Sequence, residues 1–159
     1  MATILVHKNS TWKIAALLFF IFCTQLGCPR PIPGEYKEIL LKPAEEKQRA
    51  FNRLSIEKQI EVCIFAQHLE PPDPYLRSFV AGKGKEAVPV LLSRLNSEGV
   101  SDRDRQIVIN LLREIHVFHY ALNKKEDVLS SIRLAIGKMN DPFWKKLSED
   151  DLERLLTPP

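Results

Sequence analysis

The sequence predicts an all-α fold: a compact bundle of about six short helices with one helical hairpin at its centre, preceded by an apolar leader helix. Two observations carry this. Between Gly84 and Tyr120, two stretches repeat apolar residues at the i, i+3, i+4, i+7 spacing, first Val88, Leu91, Leu92 and Leu95, then Val108, Leu111, Leu112 and Ile115. Residues suited to capping helix N-termini also recur just ahead of apolar runs, at Ser55, Asp73-Pro74, Ser101 and Asp141-Pro142. A chain of 159 residues with 45% apolar and 27% charged residues has room for one domain and enough apolar mass for a core.

Residues 1 to 28 come first. Lys8 and Lys13 precede an apolar run from Ile14 to Cys23, and Thr24-Gln25-Leu26-Gly27-Cys28 follows. A positive segment followed by ten apolar residues has the proportions of a secretory leader and falls short of the ~20 residues a membrane-spanning helix needs. Pro29, Pro31 and Pro33 then interrupt any continuing helix. The expected organisation is a signal peptide over 1–27, a Pro-rich tether over 28–43 and a helical domain over 44–159.

The ending Leu26-Gly27-Cys28 resembles the cleavage box of bacterial lipoprotein precursors, in which a small residue precedes a cysteine that is lipidated and becomes the mature N-terminus. The resemblance implies that Cys28 is the lipidation site and that the protein is exported and membrane-anchored in the bacterial cell envelope through acyl chains. Gln25 departs from the aliphatic residue usual there, which leaves ordinary cleavage or retention of the leader as alternatives. Cys23 leaves with the leader, so Cys28 and Cys63 remain. Cys63 lies beside Ile60 and Ile64 on an apolar helix face and reads as a small core residue, with a Cys28–Cys63 disulfide as the alternative.

Within the tether, prolines argue for a semi-rigid spacer. Ala44 to Arg53 is rich in helix formers but poor in apolar residues, and predicts a short, solvated helix. Ser55 caps a stronger one, with Ile56, Ile60, Cys63 and Ile64 on one face, ended by Pro71-Pro72. Asp73-Pro74 opens the next, which bears Tyr75, Leu76, Phe79 and Val80 and ends at Gly82.

The central hairpin follows. Pro89 near its start removes a backbone donor and should tighten the first turn. Gly99 supplies a left-handed stop, and Ser101 with Asp104 forms a Ser-x-x-Asp capping box for the second helix. The run Ala87-Val88-Pro89-Val90-Leu91-Leu92-Ser93-Arg94-Leu95, then a turn, then Asp104-Arg105 and the aliphatic residues to Ile115, is similar to one HEAT-type helical repeat. Over residues 84 to 118 that resemblance implies an α-hairpin with a binding or scaffolding role. No second copy with the same proline and Asp-Arg signature appears at a fixed period, so one unit within a bundle is expected rather than a solenoid. Lys124 to Met139 predicts a further helix, Pro142 opens another through Phe143 and Trp144, and Ser148-Glu149-Asp150-Asp151 reads as the cap of a last one. Phe143 and Trp144 are expected in the core, with an exposed aromatic anchor as the alternative.

Charge and motifs narrow the function classes. The formal charge is +3, but outside residues 1–27 it falls to +1, with 21 Lys and Arg facing 20 Asp and Glu. That near balance, interleaved along the helices, gives no basic stripe for nucleic acid. His116 and His119, at i, i+3 with Glu114 nearby, are the best metal candidates, but HExxH is absent and no third ligand is evident, so neither a metal site nor a cofactor is predicted. Gly-x-Ser-x-Gly is absent, the Gly82-Lys83-Gly84-Lys85 turn lacks the spacing of a phosphate loop, and the Asp102/Asp104 and Asp150/Asp151 pairs fall where caps explain them. The sequence therefore predicts no catalytic residues and a protein partner at the envelope. The alternatives are a small envelope enzyme or metal-binding protein using His116/His119, and an immunity-type inhibitor of a secreted toxin.

Overall fold

Helix α1 (Gly34–Leu40) opens a computed structural model that describes residues 32–69 and 71–158. It is followed by α2 (Ala44–Phe51), α3 (Ile56–Ala66), α4 (Pro74–Ala81), a single 3-10 turn (Gly84–Glu86), α5 (Val88–Asn96), α6 (Asp102–Phe118), α7 (Glu126–Gly137) and α8 (Pro142–Leu156). All regular structure among the described residues is helical, as the periodicity predicts. The leader helix and Cys28 lie outside them.

The expected capping residues sit where their side chains can take free amides. Ser55 Oγ accepts from the Lys58 amide at 3.4 Å, Asp73 Oδ1 from Tyr75 at 3.0 Å, Ser101 Oγ from Asp104 at 3.1 Å, and Asp141 Oδ1 from Phe143 at 2.9 Å. Each satisfies a donor that has no partner within its own helix. Gly99 takes the left-handed conformation, with φ 70°, and separates α5 from α6.

Several boundaries differ from expectation. The stretch read as tether through Pro43 is helical from Gly34, and Ile39 and Leu40 are buried in the core while Tyr36 packs on Phe65. Apolar residues at 32, 36, 39 and 40 outweigh the prolines, which only mark the ends of α1. This helix brings the number among the described residues to eight rather than about six. Pro89 does tighten the chain ahead of it: Gly84–Glu86 is 3-10, and α5 begins only at Val88, with Pro89 in the first turn where its missing donor costs little. In the Gly82–Lys85 turn, Gly84 takes the left-handed conformation and Gly82 remains right-handed.

At the C-terminus, Ser148 starts no helix. α8 runs unbroken from Pro142 to Leu156, placing Ser148 and Asp151 mid-helix on its buried face. A local cap motif lost here because both residues face α6 at helical spacing.

Helix α6, 17 residues and so roughly 25 Å long, is the element on which most of the others converge. It packs most extensively on α8, and also on α4, α5, α3 and α7, while α5 rests equally on α7. Val108, Leu111, Leu112 and Ile115 are fully buried, and Ile107 and Ile109 are buried on either side of that stripe. A helix covered on several faces needs a broader apolar sector than one stripe. The matching core residues are Phe51, Ile60, Cys63, Leu76, Val80, Leu91, Leu95, Leu122, Ile132 and Leu155. No described helix is long and apolar enough to cross a membrane.

Candidate functional site

The face of α6 turned away from its apolar stripe begins Arg103, Gln106, Ile107, Asn110, the same i, i+3, i+4, i+7 spacing occupied mostly by polar groups. With Gln67 from the end of α3, Arg77 from α4 and Trp144 from the first turn of α8, these residues line a cleft of about 180 Å³. Among the described residues its lining holds two guanidinium groups and no carboxylate.

Each wall is held by bonds between elements. Gln67 Nε2 donates to the Asp73 carbonyl at 2.8 Å, fixing the link from α3 to α4, and the Gln67 carbonyl accepts from an Arg103 terminal nitrogen at 3.0 Å. The Arg103 guanidinium also lies over the Trp144 ring, 5.6 Å from its centroid, the geometry of a cation–π pair. Across the cleft, one terminal nitrogen of Arg77 donates to both Asn110 Oδ1 and Glu114 Oε1. Asn110 in turn donates to Asp151 Oδ2 at 3.0 Å, and Gln106 Nε2 donates to the same oxygen at 3.3 Å. Arg113 Nε stands 3.1 Å from Asp151 Oδ1 but off its axis, which makes an ion pair rather than an aligned hydrogen bond. Behind the lining residues Gln106 and Asn110 therefore lies a buried carboxylate shared by three side chains of α6. One turn before it, the fully buried Ser148 hydroxyl has no partner among the described residues.

Phe143 stands at the rim, 61% exposed, with its ring edge-on to Trp144 at 4.8 Å. This overturns the expectation of a core pair. Proline at the first position of α8 and Asp141 before it set the helix so that Trp144, and not Phe143, shares a face with Ser148 and Asp151. Only the half-buried tryptophan is drawn into the structure.

The residues expected as metal candidates do not come together. His116 is buried, its Nδ1 accepts from the Leu122 amide at 2.9 Å, and its Nε2 therefore carries the proton it donates to the Thr157 carbonyl at 2.9 Å. Both ring nitrogens are used in holding the α6–α7 link and the end of α8 in place. His119 is the C-cap residue of α6, with φ -135°, and is exposed. His68 lies elsewhere, its Nε2 2.5 Å from Asp104 Oδ1. Among the described residues no group of three metal-binding side chains converges.

The carboxylate pairs separate as well. Asp104 turns to His68 instead of closing a capping box, whereas Asp102 Oδ2 accepts the amides of Asn140 and Asp141, both at 2.8 Å, and Asp102 pairs with Arg105. Those amides, opposed in part by burial, hold the Asp102 carboxyl below its usual range. Asp150 pairs with Lys146 on the surface of α8 while Asp151 faces inward. Cys63 is buried, and burial pushes its thiol up to about 12.

Arg77 and Gln67 had no motif to mark them, and Asp151 was marked only as part of a cap. The available signal was periodic: Trp144, Ser148 and Asp151 share a face if residues 142–156 form one helix, and Arg103, Gln106, Asn110 and Arg113 form a polar stripe along α6. A broader depression of about 510 Å³, lined by Ala121, Asn123, Lys124, Lys125 and Pro158, consists of residues outside the helices. No family model, curated protein or solved structure matches the chain.

Proposed function

We propose that this chain is an exported, lipid-anchored protein of the bacterial cell envelope whose helical domain binds another protein. The observation that carries the binding role is the α4–α6–α8 cleft, where an exposed Phe143 and a half-buried Trp144 adjoin two arginines. Aromatic residues and arginine dominate the energetics of protein interfaces because they offer large rigid area beside directed charge. The envelope and anchor reading rests on the apolar leader and on Leu26-Gly27-Cys28. Several acyl chains at Cys28, at ~0.8 kcal/mol for each buried CH₂, suffice for stable attachment. The α5–α6 pair, with Pro89 in the first turn of one helix and Asp104-Arg105 in the first turn of the other, keeps the HEAT-type reading and its scaffolding role.

The test has two arms. Metabolic labelling with a fatty acid should mark the wild-type protein in the membrane fraction and leave Cys28→Ser unlabelled; a Cys28→Ser protein that still carries label refutes the anchor. Capture from crosslinked envelope extract should recover a discrete partner with wild type and much less with Phe143→Ala, an exposed position whose truncation leaves the core intact. Equal recovery by both would remove the cleft from the binding role.

A further inference from the structure

The chemistry of the cleft is more specific than a general binding surface. Around it stand three arginines, Arg77, Arg103 and Arg113, and two carboxylates, Glu114 and Asp151. Glu114 holds Arg77, and Asp151 holds Arg113. The nearby acidic groups are turned elsewhere, Asp104 to His68 and Asp102 to Arg105 and the Asn140 and Asp141 amides. Arg103 alone has no carboxylate within 4.0 Å among the described residues. Its guanidinium is nonetheless fixed in place, by one bond to the Gln67 carbonyl and by the Trp144 ring, and neither Nε nor the second terminal nitrogen donates to a described residue. A cation held rigid with donors to spare is poised for an anion, since little rotamer freedom is left to lose on binding.

We infer that this cleft binds a carboxylate presented by an extended peptide segment of the partner, with Arg103 as its anchor and Trp144 as the wall against which the adjoining residue lies. The inference rests on the protein-binding reading above and names the chemistry of that partner. Charge favours a carboxylate over phosphate: among the described residues three cations against two anions leave one positive charge, which a monoanion balances, while a dianion would also meet the Glu114 carboxylate behind Arg77. Size favours a chain end or single side chain. The cleft's 180 Å³ falls below the ~300 Å³ at which drug-sized ligand sites begin, so it admits a carboxylate and a few further atoms. The planar fork of arginine matches a carboxylate through two parallel N–H donors.

Of the chain's two tryptophans Trp12 leaves with the leader, so the lipid-anchored protein in detergent micelles keeps one, Trp144, in contact with the proposed anchor. Four probes are titrated: acetylated Ala-Ala-Leu with a free C-terminal carboxylate, the same peptide as its amide, acetylated Ala-Glu-Leu as its amide, and inorganic phosphate. Saturable change in Trp144 emission is expected with a carboxylate-bearing peptide and not with the Ala-Ala-Leu amide. Response to the free acid alone places the carboxylate at a chain end, and response to the glutamyl peptide extends it to side chains. Arg103→Gln should weaken binding about tenfold or more, the loss expected for a charge-assisted bond, and Arg103→Lys less, each variant having wild-type circular dichroism. Equal affinity for acid and amide, tighter binding of phosphate, unchanged affinity in Arg103→Gln, or no response up to millimolar peptide overturns the inference. The general reading is separable: a partner captured equally by wild type and Arg103→Gln sinks the carboxylate anchor and leaves protein binding standing. Failure to capture any partner, with carboxylate peptides still bound, does the reverse.

Discussion

Asp151 offers the sharpest test of how α6 and α8 are held together. It is 5% exposed, and its carboxylate meets Gln106 and Asn110 amides at 3.3 and 3.0 Å and Arg113 Nε at 3.1 Å. Asp151→Ala removes all three contacts at once. Removing one member of a buried ion pair costs roughly 3–5 kcal/mol when the other stays buried and unpaired. The Arg113 side chain is 23% exposed and can partly rehydrate, which lowers that figure. Two amide donors left without an acceptor add about 1 kcal/mol each where water does not reach them, and the cleft side is open to water. The expected loss is therefore about 3 kcal/mol, near the lower bound for a fully buried pair. For a domain of this size, that corresponds to a fall in Tm of roughly 10 °C. Urea unfolding followed by far-ultraviolet circular dichroism measures it directly. A companion variant separates pairing from packing: Arg113→Met with Asp151→Leu replaces the pair by apolar groups and should recover most of the loss, because desolvation of both charges is avoided. A cost below about 1 kcal/mol for Asp151→Ala, or a double variant no better than the single, refutes the argument that this carboxylate organises the interface.

Two further predictions concern titration. Asp102, whose carboxyl the Asn140 and Asp141 amides hold below its usual value of 3.8, stabilises the fold above that value, and the contribution is lost as pH falls through 3.8 toward the lower folded value. Asp102→Ala should thus lower stability at pH 7, and the gap from wild type in urea midpoints should narrow by pH 3; a gap independent of pH refutes the linkage. Cys63, with its thiol pushed up to about 12 by burial, should resist iodoacetamide at pH 8 in the native protein and react once urea unfolds it. Peptide mapping by mass spectrometry assigns the adduct to Cys63, and native alkylation of Cys63 at the rate of a free thiol would show that it is not a core residue.

What could be read in advance divides by range. Ser55, Asp73, Ser101 and Asp141 cap their helices as expected because the bond each makes spans only two or three residues. The stripes of α5 and α6 are likewise periodic, and their members are buried apart from the partly covered Leu92. Local motifs misled where distant partners compete for the same side chain. Asp104 suits a capping box and bonds His68, 36 residues away, while Ser148 and Asp151 suit a cap and instead face α6, with Asp151 bonded to residues 41 and 45 positions earlier. Phe143 and Trp144 have similar apolar bulk, and only the rotation of α8 decides that one projects outward.

The sequence by itself determined the helical class, most helix starts and the apolar stripes of α5 and α6, since these follow from spacing and from bonds within one turn. Only the tertiary structure decided that α6 is the common partner of the surrounding helices, that Gly34–Leu40 joins the core, and that Gln67, Arg77, Arg103 and Trp144 meet in one cleft. The physical reason is that polar residues can satisfy themselves with water in any exposed helix, so their pattern names no partner. Burial against a particular neighbour obliges Arg77 to find Glu114 and Asp151 to find Arg113, and leaves Arg103 with donors that no described residue takes.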